Sequence, residues 1–186
     1  RQPRPVDDGT YWEHNPHRQL LRVRNCMFTI ERILIHEAGH AVVAHKLGRP
    51  VNAMVWRRGR NDDDVQGAVH LGSLAGDPHH ITILAAGFAA DYLNCRMQQI
   101  DREDDPLIPT FYDMVDWERD YFPSLAARMI ADSDLRAIRH IRTGENHDRT
   151  RDASIADARP EVVQRAVDIL IEEWERLCWL VLSALA

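Results

Sequence analysis

The chain has 186 residues, of which 45% are apolar and 28% charged, a globular composition that excludes a fully disordered chain and a fibrous repeat. Its formal net charge of −6 at pH 7 lacks the basic excess of general nucleic-acid binders, so we expect no nucleic-acid partner. The longest apolar runs, Ile81–Ala90 and Leu177–Ala186, are about half as long as a membrane-spanning helix, so no membrane segment is expected.

The cysteines favour a reducing compartment. Cys26, Cys95 and Cys178 lie at wide spacings and form no CxxC pair. Neither a disulfide framework nor a cysteine zinc knuckle is therefore expected. Because buried, reduced thiols are typical of cytosolic proteins, we expect a cytoplasmic location.

The beginning of the chain differs in character from the rest. Residues 1–28 are mostly polar, with prolines at positions 3, 5 and 16, and are interpreted as an extended N-terminal arm. Residues 29–186 show no internal repeat and no clear domain boundary. We expect them to form a single domain.

Hydrophobic periodicity predicts a mainly helical domain with a small sheet. The first helix extends from Ile30 to about Leu47, with Thr29 as its N-cap, and Gly48 followed by Pro50 ends it. Alternating apolar and polar residues predict strands at Val51–Arg57 and Gly67–Leu71. Further helices are predicted over His79–Asn94, Thr110 to about Phe122, Ser124–Ile141 and, with Pro160 in the first turn, Glu161–Ala186.

The first helix contains an HExxH motif, His36-Glu37-Ala38-Gly39-His40. Residues at i and i+4 share one face of a helix, so both imidazoles are able to reach one metal ion. Glu37 lies beside them and is able to take a proton from a zinc-activated water. Two histidines and a glutamate on a mostly apolar helix would be costly to bury without a partner or a metal. The motif therefore predicts a zinc site with Glu37 as general base.

The motif does not identify the third zinc ligand. The residues after His40 do not complete the HExxHxxGxxH pattern of metzincins, and no second helix offers a clear glutamate about twenty residues further on. The third ligand must therefore come from a more distant part of the chain.

The residues around the motif resemble those of a known family. HEAGHAVVAHKLG (His36–Gly48) closely resembles the active-site helix of the FtsH-type zinc metalloproteases. Val51–Arg60 resembles the family's strand with its basic-glycine turn, and Leu84–Asp91 resembles its glycine-alanine helix, with Asp91 in place of the usual glutamate. The likeness extends from about Thr29 to Phe122 and, more loosely, over the C-terminal helices.

The resemblance implies a peptidase domain without the rest of an FtsH-type enzyme. The chain contains no GxxxxGK[ST] sequence, so no P-loop ATPase is expected and activity would be independent of ATP. The resemblance also implies that the third zinc ligand is an aspartate near the start of a following helix.

Three aspartates compete for the position of this third ligand. Asp113 and Asp116 lie close to the family's spacing from His40, whereas Asp134 lies further on in a sequence, Asp-Ser-Asp-Leu, that resembles the family's Ser-Asn-Asp-Ile. Asp113 has another explanation, because its position predicts a capping box with Thr110. We therefore favour Asp116, and Asp113 and Asp134 stay open as alternatives.

The sequence predicts a mainly helical α+β fold, in which the HExxH helix packs beside a small β-sheet and a helical bundle. We expect a zinc metalloendopeptidase with one Zn²⁺ per chain on His36, His40 and Asp116, acting on a peptide or protein substrate. The alternatives are a repressor-cleaving HExxH peptidase of another family and a degenerate zinc-binding interaction module. The apolar end of the last helix is expected to be core, with the contact face of a homo-oligomer as the alternative.

Overall fold

The computed structural model describes residues 30–58, 65–99, 109–121, 132–145 and 152–186. The expected N-terminal arm, residues 1–28, lies outside these ranges, as do Thr29 and the first part of the helix predicted at Ser124–Ile141. The described residues form a mainly helical α+β fold with one antiparallel pair of strands, as the sequence predicts. In these ranges, no helix has the length and apolar character needed to cross a membrane.

Helix α1 (Ile30–Lys46) lies at the centre of the fold and is almost completely buried from Ile33 to Ala44. Its end was correctly predicted. Gly48 takes a φ of 73°, and the Arg49 N–H donates to the Ala44 carbonyl at 2.8 Å, as in a Schellman motif.

Strands β1 (Val51–Arg58) and β2 (Val65–Leu71) form an antiparallel hairpin beside α1. Trp56 is paired with Gly67 in this register. Both strands contact α1, and β2 also lies against the side chain of Glu37. The hairpin therefore forms one wall beside the HExxH motif.

Helix α2 (His80–Gln99) packs closely along α1. A Cβ at Gly39 of α1 would lie 2.6 Å from the Ala86 carbonyl oxygen and 2.7 Å from the Ala90 Cβ. Small side chains on both helices thus allow their backbones to approach, which brings α2 next to the two histidines of the motif.

Helices α3 (Phe111–Tyr121) and α4 (Asp132–Thr143) flank α2. The predicted capping box of α3 is confirmed: the Thr110 N–H donates to Asp113 at 2.8 Å, and the Asp113 N–H donates to the Thr110 hydroxyl at 3.3 Å. Helix α4 buries Leu135 and Ile138 completely, and these contacts anchor the helix that carries Asp134.

The long C-terminal helix predicted over Glu161–Ala186 is wrong, because the chain forms two helices, α5 (Pro160–Glu172) and α6 (Trp174–Leu185). Glu173, between them, has φ −105° and ψ 18°. Helix α5 packs mainly on α2, whereas α6 packs on α1. The apolar end is core only in part, since Leu177 is fully buried and Trp179 is 62% exposed.

Candidate metal centre

Three side chains from two helices meet at the buried face of α1. His36 and His40 are one turn apart on α1, and Asp134 lies in the first turn of α4. The Asp134 Oδ2 atom is 3.0 Å from the His36 Nε2 atom and 3.1 Å from the His40 Nε2 atom. All three potential ligand atoms lie within 4.8 Å of one another.

The other nitrogen of each imidazole has its own partner. His40 Nδ1 lies 2.7 Å from the Ile83 carbonyl oxygen, which only accepts, so Nδ1 carries the proton and donates. His36 Nδ1 lies 3.1 Å from Asp91 Oδ2, and the other oxygen of Asp91 is 3.6 Å from Arg32 Nε. These contacts leave both Nε2 atoms directed at Asp134, in the arrangement typical of metal-bound histidines.

His36, His40 and Asp134 shift one another's pKa values, so without a metal they share protons. Burial alone would lower the pKa of His36, but the carboxylates of Asp91 and Asp134 outweigh burial and raise it to about 10. The pKa of His40 is also raised, because Asp134 outweighs the effect of burial. Burial alone would raise the pKa of Asp134, but the two imidazoles hold it below its ordinary value. A metal cation would replace the protons that these groups share.

Gly87 on α2 leaves space for an ion beside the histidines. A Cβ at this position would lie 2.4 Å from His36 Nε2 and 2.5 Å from His40 Nε2. Zinc–nitrogen bonds are about 2.0–2.1 Å long, so a methyl group here would compete for the space that a metal needs next to both nitrogens. The missing side chain of Gly87 therefore fits a metal site.

The donor set fits zinc. Two imidazole nitrogens and one carboxylate oxygen are ordinary zinc ligands, and catalytic zinc sites use three protein ligands. The separations of 3.0 and 3.1 Å between the Asp134 oxygen and the two nitrogens approach the value of about 3.3 Å between ligands in a tetrahedral zinc site. The side chain of Asp134 is 17% exposed, so solvent reaches the cluster of His36, His40 and Asp134 from the side of Asp134.

Glu37 lies between the histidines on α1 but faces the hairpin. Its side chain is half-buried against Gly67, and the backbone of Val69 favours the charged form of its carboxylate. Burial raises the pKa of Glu37 above its ordinary value, although the neighbouring imidazoles oppose this. A carboxylate that is more basic than usual suits a general base.

The favoured third ligand, Asp116, has to be corrected. Its side chain is 60% exposed and pairs with Arg119 at 3.0 Å, because the buried face of α3 is formed by Met114, Trp117 and Glu118. The carboxylate that lies beside the two imidazoles is that of Asp134. His36 and His40 are brought together as the motif predicts.

Two residues support the metal site although the sequence pattern predicted no such role for them. Asp91 stands in place of the family's usual glutamate, and the signal for its role is an acid within the apolar, alanine-rich segment Leu84–Asp91. Gly87 is the central glycine of the same segment. Both face α1, one beside an Nδ1 atom and the other beside the two Nε2 atoms.

Comparisons with protein-family models, curated proteins and solved structures find no match for this chain. The resemblance to FtsH-type metalloproteases therefore rests on the chain's own residues.

Proposed function

We propose that this chain is a zinc-dependent metalloendopeptidase that hydrolyses peptide bonds without ATP. The observation that carries the proposal is the meeting of His36 Nε2, His40 Nε2 and Asp134 Oδ2 next to the half-buried carboxylate of Glu37. A site with only a structural metal has no use for a general base at this position. The resemblance of His36–Gly48 to the FtsH-type active-site helix also supports the proposal.

Each residue has a separate role in the proposed reaction. His36, His40 and Asp134 would hold one Zn²⁺, which supplies a Lewis acid that activates water and polarises the peptide carbonyl. Glu37 accepts the proton of the attacking water at its carboxylate and passes that proton to the nitrogen of the leaving amine. Asp91 and the Ile83 carbonyl keep the two imidazoles oriented.

The proposed substrate is an extended or loosely folded peptide segment. The hairpin lies beside Glu37, and a peptide that adds to an edge of β1 or β2 would form backbone hydrogen bonds with little demand on sequence. The proposal includes a cytoplasmic location, which the buried thiol of Cys178 supports because oxidising compartments favour disulfides.

The test compares the hydrolysis of fluorescein-labelled casein by zinc-loaded wild type and Glu37→Gln. We expect Glu37→Gln to keep its zinc and to lose about 100-fold or more in kcat, because glutamine is unable to accept the proton. Glu161→Gln, an exposed position in the first turn of α5, is the matched control and should behave as wild type. Equal activity of Glu37→Gln and wild type would contradict the mechanism. Zinc-bound wild type without activity would favour an interaction module.

A further inference from the structure

Gly67 of β2 lies directly against Glu37. A Cβ at Gly67 would lie 2.7 Å from Glu37 Cγ, 3.1 Å from Glu37 Oε1 and 2.6 Å from Ile33 Cγ2. The φ of Gly67 is outside the positive region, so its backbone conformation is open to alanine. Glycine is unfavourable within a strand and often marks a close approach. What excludes a side chain here is the space taken by Glu37 and Ile33.

A second group of the same strand acts on the same carboxylate. The backbone of Val69, two residues after Gly67, favours the charged form of Glu37. Glu37 and Ile33 are four residues apart on α1 and therefore share the helix face that meets β2. The strand thus lies against both the stem and the Oε1 atom of Glu37 at Gly67.

We propose that β2 positions the carboxylate of Glu37, with Gly67 as a positioning residue that acts through Glu37. Gly67 leaves the stem of Glu37 the space to lie against the strand, and this determines where the carboxylate lies. An alanine at position 67 would push the Glu37 side chain away from its place beside the histidines. The consequence for catalysis rests on the proposed function, whereas the positioning itself is a property of the metal-free protein.

The first part of the experiment measures the coupling between the two residues without any metal or substrate. The unfolding of metal-free wild type, Gly67→Ala, Glu37→Ala and the double variant is followed in urea, which gives a double-mutant cycle. Removing the Glu37 stem should relieve the contact with Glu37, whereas the contact with Ile33 stays in both backgrounds and cancels in the cycle. We expect Gly67→Ala to raise the unfolding equilibrium constant at least fivefold more in the wild-type background than in the Glu37→Ala background. If Gly67→Ala alone does not fold, recovery of a folded double variant supports the proposal.

The second part measures casein hydrolysis and zinc content. Gly67→Ala should lower kcat about tenfold or more at an unchanged zinc content, and it should have no further effect in the Glu37→Gln background. Gly72→Ala, directly after β2, is the matched control, because among the described residues a Cβ there would meet only Pro50, at 3.3 Å. This control should keep the wild-type kcat.

The two parts separate the failure of this proposal from the failure of the proposed function. Equal effects of Gly67→Ala in both unfolding backgrounds, or an unfolded double variant, would overturn the positioning role whether or not the protein cleaves casein. Coupling in unfolding without casein hydrolysis by wild type would support the positioning of Glu37 and would overturn the peptidase assignment.

Discussion

Oδ2 of Asp134 lies 3.0 Å from Nε2 of His36, although 98 residues separate the two in the sequence. The contact depends on three helices. Helix α1 presents the imidazole, α2 supports it through Asp91, and α4 is anchored by Leu135 and Ile138 so that its first turn faces the imidazole. The candidate metal centre therefore depends on how α1, α2 and α4 pack together.

Gly87→Ala is expected to weaken zinc binding strongly without unfolding the protein. Alanine is favoured over glycine inside a helix by about 1 kcal/mol, so α2 itself should tolerate the change. The added methyl group would, however, lie 2.4 Å from His36 Nε2 and 2.5 Å from His40 Nε2. Zinc titration with a chromophoric chelator should show a loss of affinity of about 100-fold or more, while the helical circular dichroism signal is retained. Wild-type affinity in this variant would contradict the placement of the ion beside Gly87.

Asp91→Asn is expected to weaken zinc binding by about 10–100-fold, the usual effect of losing a carboxylate behind a metal-bound histidine. Asparagine has nearly the same size and keeps an acceptor for His36 Nδ1, but it removes the negative charge. The same chelator competition measures this affinity, with the exposed Asp116→Asn as the control. Equal affinities of the two variants would show that Asp91 does not support the site.

The stability of the metal-free protein should fall as the pH rises above about 6.5. The pKa of His36 is raised to about 10 against an ordinary value near 6.5, so the proton on His36 stabilises the folded state. This contribution is complete below pH 6.5 and is lost as the pH approaches 10, with a slope of at most about 1.4 kcal/mol per pH unit for one proton.

Thermal unfolding of the metal-free protein between pH 6 and pH 9.5 measures this dependence. The midpoint should decrease with pH in wild type and should change less in His36→Asn, which has no titrating imidazole at this position. A midpoint that rises with pH in wild type, or falls equally in both proteins, would contradict the raised pKa of His36.

The sequence was sufficient for the local part of the site. His36, Glu37 and His40 lie within five residues, and helical geometry alone brings the two imidazoles to one face. The end of α1 at Gly48 and the capping box of Thr110 and Asp113 were predictable for the same reason, since each depends on residues within one turn.

The distant part of the site was not predictable from spacing. Asp116 was favoured for its distance from His40, but the apolar pattern of α3 at Phe111, Met114 and Trp117 buries another face and leaves Asp116 exposed. The local sequence around Asp134 was the better guide. The break at Glu173 also had no local signal, because neither glycine nor proline interrupts the pattern there.

The zinc content of wild type, Asp134→Ala and Asp116→Ala, measured side by side by elemental analysis, tests the proposed metal centre most directly. We predict about one zinc per chain in wild type and in Asp116→Ala, and a loss of most of the zinc in Asp134→Ala, because only Asp134 lies beside both imidazoles among the three aspartates considered. A wild type that binds no zinc when zinc is supplied, or zinc that is lost in Asp116→Ala and kept in Asp134→Ala, would contradict the proposed centre.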